Sequence, residues 1–160
     1  MSEPSFVYVI YIASTPEKVW HALTDAETSA RYWFGNHVES DWKVGSPFSL
    51  KRGEKRLTDT GTVLEFDPPR RLSYTFQSLK DGVALEKPSR VTFALEQQED
   101  QVKLTIVHDE FEPGSKVFES ISGGWPLVLS SLKSLLESGR VLRAPWYEKE
   151  VAREEAEAGR

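Results

Sequence analysis

His108 closes an alternating stretch, Leu104-Thr105-Ile106-Val107-His108, whose period-2 phase puts Leu104, Ile106 and the imidazole on one face. An imidazole at the end of an inward row can give or take one hydrogen bond near a ligand. It can also serve as acid or base, with the phenol of Tyr74 as partner. The plainer account is a histidine bonded to a neighbouring backbone group at the strand end, with the Tyr74 oxygen reaching the surface. Nothing completes a catalytic set. His21 falls on a helix, His37 in a loop, and Asp109-Glu110 beside His108 lack the ligand spacing of a metal site. There is no nucleophile elbow, phosphate loop or dinucleotide fingerprint, and the absence of cysteine excludes thiol chemistry, disulfides and cysteine-ligated metals. The sequence therefore names no catalytic residue, no metal ligand and no cofactor.

A second set of residues suits binding better than catalysis. Trp33, Phe34, Trp42, Phe48, Phe66, Tyr74, Phe76, Phe93, Phe111, Phe118 and Trp125 fall largely on positions that phase inward. Aromatic side chains commonly just fill a core. A strongly curved sheet and one helix close incompletely, however, and leave an apolar pocket with a few orienting polar groups. Of this set all but Phe118, together with His108, Ile121 and Leu129, are the expected lining of a site for a small hydrophobic ligand.

The elements that must position these groups follow from periodicity. Phe6 to Ile12 is a β-branched and aromatic run, apolar on both faces, which predicts a covered strand. Ser14 or Thr15 can cap a helix that begins at Pro16, buries Val19, Trp20 and Leu23, and ends near Asp25; a second covers Glu27 to Tyr32. Short alternating strands are then expected at Val38 to Lys43, Pro47 to Lys51, Thr60 to Phe66, Leu72 to Gln77, Arg90 to Glu96 and Val102 to Asp109. Their breaks lie at Val44-Gly45-Ser46-Pro47, Gly53, Asp67-Pro68-Pro69, Asp81-Gly82 and Glu99-Asp100. Phasing places Leu64, Phe66, Leu72, Tyr74, Phe76, Val91, Phe93, Leu95, Leu104 and Ile106 on one face, with polar residues opposite. This is an antiparallel sheet with one covered face.

The cover is a helix from about Ser115 to Ser138, in which Val117, Phe118, Ile121, Trp125, Val128, Leu129, Leu132, Leu135 and Leu136 repeat at three- and four-residue spacing before the Gly139 stop. Pro126 has no amide to donate and crowds the Ser122 carbonyl, so Gly123-Gly124-Trp125-Pro126 predicts a kink or break. Two uses fit this segment: glycine permits close packing, or the interruption makes a cavity entrance deformable.

The whole chain, 160 residues, is one domain's worth of sequence. Residues 140–160 hold five basic and five acidic groups, so the net charge of -5 falls on residues 1–139. A body of that sign does not attract phosphate backbones, which argues against nucleic-acid binding. The basic clusters Lys51 to Arg56 and Arg70-Arg71 read as solvated hairpins. A mean hydropathy of -0.45, no apolar run long enough to span a bilayer and no secretory signal lead to a cytoplasmic protein without membrane insertion.

Taken in order, the motifs resemble a known family. They are Ser14-Thr15-Pro16-Glu17-Lys18-Val19-Trp20-His21-Ala22-Leu23-Thr24-Asp25, Trp33, Gly45, Phe48, Gly61-Thr62-Val63, Asp67-Pro68-Pro69-Arg70-Arg71-Leu72-Ser73-Tyr74, Leu104-Thr105-Ile106-Val107-His108, Phe111 and Gly123-Gly124-Trp125-Pro126 with Leu129 and Leu132. This series resembles the activator of heat-shock-protein-90 ATPase homologue family, within the START-like or SRPBCC superfamily. The resemblance implies an α+β helix-grip fold over residues 1–139, with a curved antiparallel sheet gripping a long C-terminal helix and two short helices after the first strand. It also implies a cavity for apolar small molecules between helix and sheet. Residues 140–160 form a charged tail outside the shared region, helical or frayed, whose Trp146 and Tyr147 are free to cap the pocket, pack on the sheet edge or meet a second subunit. The eukaryotic co-chaperones of the family carry a further N-terminal chaperone-binding domain, whereas here the first strand starts by residue 6. Ligand binding is thus the first expectation, as a monomer or weak homodimer, with a chaperone-interaction module or a cyclase- or hydrolase-like enzyme using His108 as alternatives.

Overall fold

The computed structural model describes residues 4–54, 56–80 and 86–158. Seven strands, β1 (Phe6–Ile12), β2 (Asn36–Ser40), β3 (Pro47–Arg52), β4 (Arg56–Asp67), β5 (Arg71–Ser78), β6 (Ser89–Gln98) and β7 (Gln101–Asp109), form one antiparallel sheet in the order β1-β7-β6-β5-β4-β3-β2. Helices α1 (Pro16–Thr24) and α2 (Ala26–Tyr32) follow β1, and α3 (Lys116–Ser138) and α4 (Pro145–Ala158) end the chain. The expected break at Asp81-Gly82 and Lys55 of the basic cluster lie outside the described residues.

Local chemistry sets the helix ends. Thr15 Oγ1 accepts from Lys18 N at 3.3 Å ahead of Pro16, and Asp25 both ends α1 and caps α2 by accepting from Thr28 N at 2.9 Å. Ser115 Oγ accepts from Phe118 N at 3.1 Å to start α3, which stops at Gly139 in the left-handed region (φ 77°). The Glu86 carboxylate accepts from Lys116 N at 3.1 Å, tying the segment before β6 to the start of α3.

Three expectations change. β1 is an edge strand paired only with β7, and it alternates: Val7, Val9 and Tyr11 are exposed on the outer face while Phe6, Tyr8 and Ile10 pack inward. Its apolar outer face belongs to the sheet border, not to a covered centre. In β4 the register with β5 shifts between Val63 and Glu65, a bulge that sends Val63 into the core and leaves Leu64 exposed. The inward row therefore runs through Val63 and not Leu64. Finally, α3 runs unbroken across Pro126, with Ser122 and Ser130 hydroxyls donating to the Phe118 and Pro126 carbonyls.

The core lies between the concave sheet face and α3, where Leu72, Tyr74, Val91, Phe93, Leu104 and Ile106 meet Val117, Ile121, Trp125, Leu129 and Leu132. Its aromatic rings touch in series: Phe66 to Trp42, Trp42 to Phe48, Phe48 stacked on Tyr74 at 3.9 Å, Tyr74 to Phe93 and Phe93 edge-on to Trp125. On the opposite face Ser73 and Thr92 are buried beneath an Arg90, Glu65 and Arg71 network, so the polar face is covered by its own charged side chains.

Candidate functional site, a cavity closed by α4

A cavity of about 480 Å³ opens between the N-terminal half of α3 and the ends of β3, β4 and β5. Val117, Ile121, Trp125 and Val128 form its helix wall, with Leu50 and Phe76 opposite and Trp33, just past α2, at one side. Gly124 also lines it. A side chain built on Gly124 would meet nothing within 4 Å, and Gly123 is equally open, so these glycines do not serve close packing. Gly124 leaves space at the cavity, whereas Gly123 is exposed and lies outside the lining.

The polar part of the wall comes mainly from β3, β4 and α4. Arg52, Arg56, Asp59, Tyr147, Glu150 and Glu154 converge there. The Tyr147 hydroxyl accepts from Arg52 Nε at 2.9 Å and lies within 2.7 to 3.0 Å of the Asn36 amide. Arg52 also sits over the Tyr147 ring, 4.9 Å from its centroid, and pairs with Glu154. Arg56 reaches Glu154 at 3.1 Å, Lys80 reaches Glu150 at 3.2 Å, and Phe34 packs on Tyr147. Thus the tail folds back as a helix over the cavity mouth. The turn leading to it is fixed as well: Ala144 is buried and Leu142 N donates to the buried Ser131 Oγ at 3.2 Å.

Asp59 is the polar residue that the sequence reading missed. It pairs across the sheet with Leu50 and Ser78, and all three line the cavity as one transverse row. Burial raises its carboxyl to about 6, opposed in part by Thr58 and Arg52.

Of the thirteen residues expected to line a ligand site, Trp33, Phe76, Ile121 and Trp125 reach the cavity. Phe48, Tyr74, Phe93, Phe111, His108 and Leu129 are buried in the core beside or behind it, and Trp42 and Phe66 pack at its far end near α1. Phe34 touches the underside of α4 instead.

His108 is held by both ring nitrogens. Trp125 Nε1 donates to Nδ1 at 3.0 Å, and Ser89 Oγ lies 2.7 Å from Nε2. An indole nitrogen can only donate, so Nδ1 must be the acceptor and Nε2 carries the proton. The Ser89 hydroxyl accepts that proton's bond and donates onward to the Phe76 carbonyl at 3.0 Å. Burial drives the imidazole down to about 3, so it stays neutral. Its one lone pair is occupied, which leaves no base for Ser89 or Tyr74, whose own hydroxyl is pushed far up by burial. Among the described residues no group of three or more metal-ligating side chains occurs.

The curved sheet and the long helix it grips define a helix-grip, START-like domain. Residues 13–137 match the family model described as "Activator of Hsp90 ATPase homolog 1-like protein", and the chain belongs to that family. Among solved structures, an HSP90 activator from Plasmodium falciparum is 26% identical at a TM-score of 0.68, covering 82% of this chain and 95% of that one. Protein MLL2253 from Mesorhizobium loti is 25% identical at a TM-score of 0.73, covering 84% and 97%. The Aha1 dimer from Colwellia psychrerythraea, at 23% identity and a TM-score of 0.69, covers 85% and 98% and shares the fold. No curated protein matches the chain. No helix among the described residues is long and apolar enough to cross a membrane.

Proposed function

We propose that this protein binds a small apolar or amphipathic molecule in the cavity between α3 and the sheet. The observation that carries this reading is a cavity of about 480 Å³ with a hydrophobic wall on α3 and the inner sheet and with polar and charged groups converging from β3, β4 and α4. Sites for small molecules usually have that size and composition, roughly 300 to 1,000 Å³. Trp33 and Trp125 stand in the wall with ring centroids 5.2 Å apart, so a ligand entering there changes their fluorescence. Titration with fatty acids, flavonoids and polyketide-like aromatics, followed by Trp emission and amide shifts, should perturb residues of α3, β4 and β5. If no member of the panel does so at micromolar concentration, the proposal fails.

Similarity to the Plasmodium falciparum HSP90 activator supports a second reading, a co-chaperone-like interaction module. Stimulation of the host chaperone's ATPase by the purified protein would support it, and no complex at micromolar concentration would exclude it.

A further inference from the structure

Asp59 differs from the other acidic groups at the cavity. Arg52 and Arg56 share the Glu154 carboxylate and Lys80 pairs with Glu150, so both acids of α4 already have cations in contact. Lys116 lies at the rim and is exposed to solvent. Among the described residues, Asp59 has no cation within ion-pair distance, although it sits on the inner face of β4 between Leu50 and Ser78. Asp59 is half-buried with no cation in contact, and Arg52 offsets only part of its desolvation from beyond ion-pair distance, so a cation brought into contact recovers more of that cost. An incoming anion has no such gain. It would have to compete with Glu154, the one carboxylate that Arg52 and Arg56 share, or stay at the rim with Lys116.

We propose, building on the cavity-binding reading, that the ligand is a hydrophobic amine: its apolar body lies between Ile121, Trp125 and Phe76, and its protonated nitrogen pairs with the Asp59 carboxylate. Geometry supports the division. The apolar wall is α3 and the inner sheet, and the acid stands on the adjoining strand, so one molecule can satisfy both. With its carboxyl near 6, Asp59 is mostly ionised at pH 7.5 and available to such a partner.

The test uses the full-length protein and three probes of one chain length, dodecylamine, dodecanol and dodecanoate, titrated at pH 7.5 with Trp fluorescence. The amine should bind at least tenfold more tightly than the alcohol. In Asp59→Asn that ratio should fall to about one. In the wild type, carbon-13 NMR of the Asp59 carboxyl should show its titration moving to lower pH when amine is added, a readout that does not depend on the variant folding. Equal affinity for amine and alcohol, or preference for dodecanoate, overturns the amine proposal while leaving the cavity reading standing. Silence with all three probes overturns both.

Discussion

The indole N–H of Trp125 donates to Nδ1 of His108, 3.0 Å away, and so fixes the imidazole as the neutral Nε2–H tautomer. A helix and the far end of a late strand are joined at the back of the cavity by that single bond. The histidine is thereby a structural link between α3, β7 and, through Ser89, β5.

This arrangement gives a pH dependence with a defined sign. The folded His108 titrates near 3 against 6.5 for the free side chain, so the unfolded chain binds the proton first. The stabilisation is complete above about pH 6.5 and is lost as pH falls towards 3, at a slope of up to about 1.4 kcal/mol per pH unit. Urea unfolding of wild type and His108→Phe between pH 4 and 8 measures it: the variant should lack this part of the acid slope.

Gly61 is required by its neighbour. A Cβ built there would stand 1.7 Å from the Thr75 carbonyl oxygen, a backbone atom that cannot step aside. Gly61→Ala should separate β4 from β5 and cost more than about 3 kcal/mol, seen as a large drop in the urea midpoint or as insoluble expression.

Gly124 behaves oppositely. Replacing it by leucine puts a side chain into the open space beside Trp125 and removes a poor helix former, worth about 1 kcal/mol in a helix interior. Gly124→Leu should keep or raise the melting temperature while weakening binding of any cavity ligand at least tenfold by calorimetry.

Tyr147 holds α4 down. In Tyr147→Phe the Arg52 and Asn36 contacts to its hydroxyl vanish while the ring remains on Phe34. Loss of bonds to a charged partner costs about 1 to 3 kcal/mol locally. Hydrogen exchange of α4 amides should accelerate, with the sheet unchanged, and ligand release should quicken in stopped-flow fluorescence.

The helix caps, the alternating strands and the apolar stripe of α3 were legible because each rests on local chemistry. The cavity lining was not. Carrying the phase of Phe66 back through Leu64 ignores the bulge, and this puts Asp59 on the outside; across the bulge Asp59, Gly61 and Val63 share the inner phase. Alternation cannot reveal one extra residue in a strand. The role of residues 140–160 was hidden for a different reason. Capping of the pocket by Tyr147 is one of three uses its sequence leaves open, and Glu150 and Glu154 read as an ordinary polar helix face until Arg52, Asn36 and Lys80, some 70 to 111 residues away, supply the partners.

At the sheet border, Lys133 Nζ donates to the Tyr11 carbonyl at 2.7 Å and Ala13 N donates to Glu137 at 2.7 Å, so the last turns of α3 occupy polar backbone groups where β1 ends. A border strand bearing Val7, Val9 and Tyr11 outward is otherwise a template on which another chain can crystallise into fibrils. The helix that walls the cavity therefore also occupies backbone groups at one end of the sheet's open border, and changes in its final two turns would lengthen the stretch of unpaired edge.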